Sequence, residues 1–128
     1  MKTKLTGAKT RLEKAVQAVV NSHAQDYSDG AKGFLNDLMQ SGCQSGLVGS
    51  LVYYNDTMKF YKTHKKEIND LLKQNLMETG FTSPIDLFGD KWDSDDLFAE
   101  DTQNQNLLAW FGFEETARNL AYKNNIEL

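Results

Sequence analysis

The chain has 128 residues, 40% hydrophobic, 25% charged and 11% aromatic, with a net charge of −4; this length suits one domain, and the composition excludes an intrinsically disordered chain. A single cysteine, Cys43, excludes an internal disulfide and fits a reducing compartment. There is no run of about 18 apolar residues, and the basic start "MKTKLTGAKTRLEK" lacks the apolar core of a signal peptide, so a cytoplasmic protein with no membrane segment is expected.

Periodicity of 3.6 residues recurs along the chain, and Pro84 is the only proline, which predicts an all-α fold. Residues 1–9 read as a flexible basic start. Thr10 with Glu13 three positions on is a capping-box pattern, opening a helix that buries Leu12, Ala15, Val16, Val19 and Val20 and ends near Ser22 or His23. Ser28 or Asp29 is the expected cap of a second helix, with Ala31, Phe34, Leu35, Leu38 and Met39 inside and Gly42 closing it. Leu47, Val48, Leu51 and Val52 predict a third helix from about Ser45 to Tyr54, after which Asn55 and Asp56 offer a new cap for "TMKFYKTH".

The spacing of Ile68, Leu71, Leu72 and Leu76 predicts a helix from Thr63 to Glu78, with Lys65, Lys66, Glu67 and Lys73 outside and Gly80 as the stop. Ser83-Pro84 starts a short helical turn. A last helix, Gln103 to Lys123, is expected to bury Leu107, Leu108, Phe111, Ala117, Leu120 and Ala121, with Trp110 and Phe113 on its flanks and Asn124-Asn125 as terminators. The expected architecture is a compact single-domain bundle of five to six helices, spanning 1–128, with an ordered acidic connection before the last long helix.

Charge is unevenly divided. Residues 1–82 sum to +3 and residues 83–128 to −7. Within "DLFGDKWDSDDLFAED", residues 86–101, seven carboxylates (Asp86, Asp90, Asp93, Asp95, Asp96, Glu100, Asp101) stand against Lys91 alone, interleaved with Leu87, Phe88, Trp92 and Phe98. Such a half repels phosphate and attracts basic surfaces, so direct DNA binding is not expected. The apolar residues within the stretch predict that it is pinned to the core.

Catalytic and metal chemistries fit poorly. A calcium loop of the helix–loop–helix type needs glycine at position 6 and glutamate at position 12. Counting from Asp90 places Asp95 and Asp101 there, and counting from Asp93 places Asn104 at position 12. Zinc needs three or four ligands at suitable spacing, and one cysteine with His23 and His64 supplies no such set. Those histidines read as capping or surface residues. Cys43 in "GCQSG" could be a thiolate at a helix start, given a histidine base; alternatively Gly42, Gly46 and Gly49, with Ser41, Ser45 and Ser50, are small residues that let another backbone approach. No glycine-rich phosphate loop and no G-x-S-x-G elbow occurs.

Aromatic side chains are in excess. Tyr53, Tyr54, Phe60 and Tyr61 fall close together, as do Trp110, Phe111 and Phe113. Helix geometry cannot turn all of them into one core, so some of Tyr53, Tyr54, Tyr61, Trp110 and Phe113 are expected at its edge, sealing joints between helices or anchoring a partner.

"SGCQSGLVGSLVYYNDTMKFYKTHKKEINDLL", "LFGDKW" and "NQNLLAWFGFEETARNLAY" resemble a family of small uncharacterised proteins of phages, prophages and mobile plasmids in gut and lactic Gram-positive bacteria. The resemblance spans about Lys14 to Leu128. It implies a context, counter-defence of the anti-CRISPR kind, and carries over no catalytic residues. The expected function is non-enzymatic. Asp90, Trp92, Asp93, Asp95, Asp96, Phe98, Glu100 and Asp101, with Tyr53, Tyr54 and Trp110, would dock on a basic nucleic-acid-handling protein such as a Cas nuclease. No cofactor, metal or membrane partner is expected, and the chain is expected as a monomer or as a homodimer in which the basic start meets the acidic end. Alternatives are a small enzyme or metal-dependent switch using Cys43 or the 86–101 carboxylates, and a structural or assembly protein of the mobile element.

Overall fold

The computed structural model of the chain describes residues 3–41, 57–80 and 102–127, with the side chains of 39–41, 57–59, 102–107 and 110 outside that description. Among the described residues there are five helices and no strand: α1 (Arg11–Ala24), α2 (Ala31–Ser41), α3 (Thr57–Thr63), α4 (Lys65–Thr79) and α5 (Thr102–Lys123). The fold is all-α. The chain divides into two compact units, one of Met1–Tyr54 with Phe113–Leu128, the other of Asn55–Gly112, and α5 contributes to both. The helix expected over 45–54, the turn at Pro84, the stop at Gly42 and the acidic connection lie outside the described residues.

In the first unit α1 opens with the expected capping box. The Glu13 N–H donates to Thr10 Oγ1 at 3.1 Å, and the Thr10 N–H donates to Glu13 Oε1 at 3.1 Å, so two of the otherwise unpaired donors of the first turn are satisfied reciprocally. The buried stripe is Leu12, Val16, Val20 and Ala24, four residues apart, while Ala15 and Val19 are half-buried. α2 buries Ala31, Phe34, Leu35 and Leu38 and packs on α1.

The start of α2 departs from expectation. Gly30 occupies the capping position with φ +73°, and it has no side-chain oxygen to offer. The cap comes instead from Thr3, far back in the sequence: the Ala31 N–H donates to the Thr3 carbonyl at 2.9 Å and the Lys32 N–H to its hydroxyl at 3.1 Å. The hydroxyl donates onward to the Asp29 carbonyl at 2.7 Å. Ser28 and Asp29, adjacent in sequence and chemically suited, take neither amide.

The stretch read as a flexible start is tied down over residues 3–9. Leu5 is 1% exposed, and the Asn21 side chain brackets it, accepting from the Leu5 N–H at 2.8 Å and donating to the Leu5 carbonyl at 2.9 Å. Asn124 does the same for Thr6, accepting from its N–H at 3.1 Å and donating to its carbonyl at 3.0 Å. The Ala8 N–H reaches Gln17 Oε1 at 3.2 Å.

The part of α5 in this unit buries Phe113, Thr116, Ala117, Leu120 and Ala121. Phe113, expected on a flank, is fully buried, and Phe111, expected inside, is half-buried. Phe113, Ala117 and Leu120 share one face by their spacing of four and three; Phe111, two residues before Phe113, points nearly opposite. The helix ends in a Schellman motif: Asn125 takes φ +59°, its N–H donates to the Tyr122 carbonyl at 3.1 Å, and the Ile126 N–H donates to the Ala121 carbonyl at 2.9 Å. Buried Ile126 supplies the apolar contact that accompanies this closure.

The second unit holds α3 and α4, separated only by His64, and the first half of α5. α4 buries Ile68, Leu72 and Leu76; Leu71, expected inside, is half-buried. Gly80 closes the helix in the left-handed conformation at φ +77°, as expected of a glycine after the last periodic residue. Gly112 on α5 faces Ile68 so closely that an added Cβ would stand 2.6 Å from Ile68 Cγ1. Among the described residues no helix is long and apolar enough to cross a membrane.

Candidate functional site

Of the residues expected to meet a partner, Tyr53, Tyr54, Asp90, Trp92, Asp93, Asp95, Asp96, Phe98, Glu100 and Asp101 lie outside the described residues. So do Cys43 and the small residues Gly42, Ser45, Gly46, Gly49 and Ser50. Trp110 is helical within α5, with its side chain outside the description. The structure does define the two ends from which the acidic segment departs and to which it returns. Gly80 turns the chain out of α4 and Thr102 begins α5, and these helices touch at Ile68 and Gly112 within one unit. The acidic segment is therefore tethered at both ends to packed helices.

Of the described aromatic residues, Phe34, Tyr61 and Phe113 belong to the cores, whereas Tyr122 is 60% exposed. Tyr61 is 1% exposed and its hydroxyl hydrogen-bonds Asn69 Oδ1 at 3.0 Å, which satisfies the polar end of a buried ring. With Phe113 also buried, two of the five aromatics considered for a partner surface are packing residues. His64, read as a capping or surface residue, is 8% exposed and makes no side-chain cap; its ring lies 5.1 Å from that of Phe60 and its Nδ1 3.6 Å from Glu67 Oε2. His23, in the last turn of α1, stacks on Phe34 at 5.2 Å. Among the described residues no three His, Cys, Asp or Glu side chains gather as a metal would require.

A second charged feature emerges from the described residues. Glu13 is the sole carboxylate before Asp26, and five cations, Lys2, Lys4, Lys9, Arg11 and Lys14, crowd the same stretch. Glu13 Oε2 is held by Lys123 Nζ at 2.8 Å. Burial acts to raise the Glu13 carboxyl, but the Lys123 bond, the Thr10 amide and the nearby positive charge outweigh it and hold the carboxyl below its ordinary value. Lys4, Lys9, Arg11 and Lys14 are exposed, and among the described residues none of them is in an ion pair. The signal for this feature in the sequence is the carboxylate-poor run of 25 residues, which the whole-chain charge conceals.

At the turn between α1 and α2 the Tyr27 hydroxyl donates to Asp37 Oδ2 at 2.6 Å, and this bond, with burial and the charges of Asp37 and Asp26, raises the phenol above its ordinary value. It orients a ring that meets Phe34 edge-on at 5.9 Å. This arrangement is structural.

The family model for DUF7222, a domain of unknown function, matches residues 9–127 of the chain. No curated protein and no solved structure matches it.

Proposed function

The chain belongs to the DUF7222 family, and we propose that it is a non-enzymatic binding protein whose acidic stretch, residues 86–101, docks on a basic, nucleic-acid-handling protein. The observation that carries this reading is the concentration of seven carboxylates against one lysine in a segment tethered at both ends to α4 and α5. A tethered polyanion competes for lysines and arginines that otherwise hold phosphates, and loses less conformational entropy on binding than a free tail. Trp92 and Phe98, with Tyr53, Tyr54 and Trp110, are the apolar anchors of the proposed surface.

The resemblance to proteins of phages and mobile plasmids gives the proposal its setting. A counter-defence inhibitor of the anti-CRISPR kind acts in the bacterial cytoplasm on a protein whose channel is basic, a Cas nuclease being one such target. The mechanism is occupation of that channel.

The test is affinity capture from a host lysate with the wild-type chain and with D93K/D95K/D96K, at low and at moderate salt. A partner retained by the wild type at low salt, and lost both at higher salt and with the charge-reversed bait, supports the proposal. A partner retained equally by both baits contradicts it. A rise in the unfolding midpoint with millimolar calcium, magnesium or zinc would instead favour a metal-dependent switch.

A further inference from the structure

The start of the chain lies in its seat as a peptide lies in a receptor, held mostly through its main chain. Leu5 and Thr6 are consecutive, and each has its N–H and its carbonyl engaged by one side-chain amide, Asn21 on α1 for Leu5 and Asn124 after α5 for Thr6. The Ala8 N–H donates to Gln17, and the Thr3 carbonyl and hydroxyl accept from the Ala31 and Lys32 amides at the head of α2. Main-chain contacts of this kind hold an extended segment without reading its sequence. The side chain enclosed is Leu5, 1% exposed, whereas those of Thr3, Lys4, Thr6 and Lys9 are exposed. A slot for one leucine between uncharged main-chain clamps is the chemistry of an extended-peptide site.

The resident segment fits this seat imperfectly. Gly7 takes φ +84° with nothing within 4 Å of where a Cβ would stand, so it adds no packing and serves to turn the chain towards the Thr10 cap. A segment of another protein, with no Thr10 to reach, makes no such turn. We propose that the seat of residues 3–8 is a recognition site for an extended segment of a partner protein, and that the chain's own start is its resident competitor. The fitting segment has leucine in the place of Leu5, a hydroxyl residue in the place of Thr3, and no proline at the two clamped positions, where an N–H is needed. Departure of residues 3–8 takes the partners of Asn21 and Asn124 and uncaps α2 in one event, and an incoming segment restores both. The resident competes at the high effective concentration of a short tether, so the partner segment must bind better than the resident does. A second copy offers the same start, already held in its own seat, and gains no new contact by exchange. The site is separate from the acidic stretch and does not depend on the docking role given to it.

Amide exchange and peptide binding, both on the full chain, test this. In the wild type the amides of Leu5, Thr6, Ala31 and Lys32 should exchange together, about tenfold or more faster than those of Val16 and Leu120, because one local opening exposes all four. A labelled peptide of residues 3–9, TKLTGAK, should bind Leu5→Ala, whose own start fills the slot poorly, about tenfold or more tightly than it binds the wild type. It should also raise the unfolding midpoint of that variant. The same peptide with aspartate for its leucine, or with proline for the threonine after it, should bind neither chain at about 1 mM. Thr3→Ala, which keeps Leu5 and loses the capping hydroxyl, is the second host should Leu5→Ala not fold, and it too should bind the peptide more tightly than the wild type does. Four amides that exchange no faster than Val16, a folded variant that leaves the peptide unbound at about 1 mM, or equal binding of the aspartate peptide would each overturn the proposal. So would self-association of the wild type that the peptide abolishes, which would give the seat to a second copy.

Discussion

Asn21 and Asn124 hold two consecutive residues, Leu5 and Thr6, each with an acceptor for the N–H and a donor for the carbonyl. A side-chain amide is the one uncharged group offering both functions side by side, so neither aspartate nor alanine can replace it. Asn21→Ala should therefore cost about 1–3 kcal/mol and speed amide exchange at Leu5; an unchanged exchange rate would show that Leu5 burial alone holds the segment. Glu13 gives a pH signature. Its carboxyl is held below the ordinary glutamate value of 4.5 in the folded state, so its contribution is present above that pH and is lost as pH falls through the lower folded value. Lys123→Met should remove most of this, so that denaturant stability declines less than in the wild type between about pH 5 and about pH 3. Parallel declines would mean that the backbone amides of Thr10 and Lys9 set the shift without Lys123.

The helices show which parts of the fold are legible from sequence and why. The capping box of α1, the Gly80 stop of α4 and the asparagine terminators of α5 are local signals, written within a few residues of where they act. The cap of α2 is written at Thr3, some 30 residues away, and propensity favours Ser28 or Asp29 nearby. Likewise the burial of Phe113 and the half-exposure of Phe111 depend on which face α5 turns inwards, which helical spacing leaves open by about one residue's rotation. The docking residues read from composition, Asp90 to Asp101 with Tyr53 and Tyr54, fall outside the described residues, whereas Tyr61 is legible as large and aromatic but becomes a core residue through Asn69. Two predictions belong at this scale. Thr3→Ala should destabilise by about 1 kcal/mol and Thr3→Ser by much less, in urea unfolding, because only the hydroxyl is needed. Gly112→Ala should cost about 1–3 kcal/mol, since its Cβ would stand 2.6 Å from Ile68 Cγ1. That cost should largely vanish in an Ile68→Ala background, and an equal cost in both backgrounds would remove Ile68 as the reason for the glycine.

Over the whole chain, charge separates by position in a way that the net −4 hides: a carboxylate-poor start held on α1, and an acidic segment strung between α4 and α5. The apolar cores include Leu5, Val16, Val20, Phe34, Leu35, Phe113 and Leu120 in one unit and Tyr61, Ile68, Leu72 and Leu108 in the other. Charges that stabilise little are free to serve recognition, where they govern encounter rate and choice of partner. The most direct measurement of the docking claim is the equilibrium affinity of the captured host protein for the wild type and for D93K/D95K/D96K across a salt series. The acidic-docking account predicts an affinity that falls steadily as salt rises, and a charge-reversed variant weaker by about tenfold or more at low salt, about 1.4 kcal/mol, converging on the wild type at high salt. An affinity indifferent to salt and to all three reversals would contradict it.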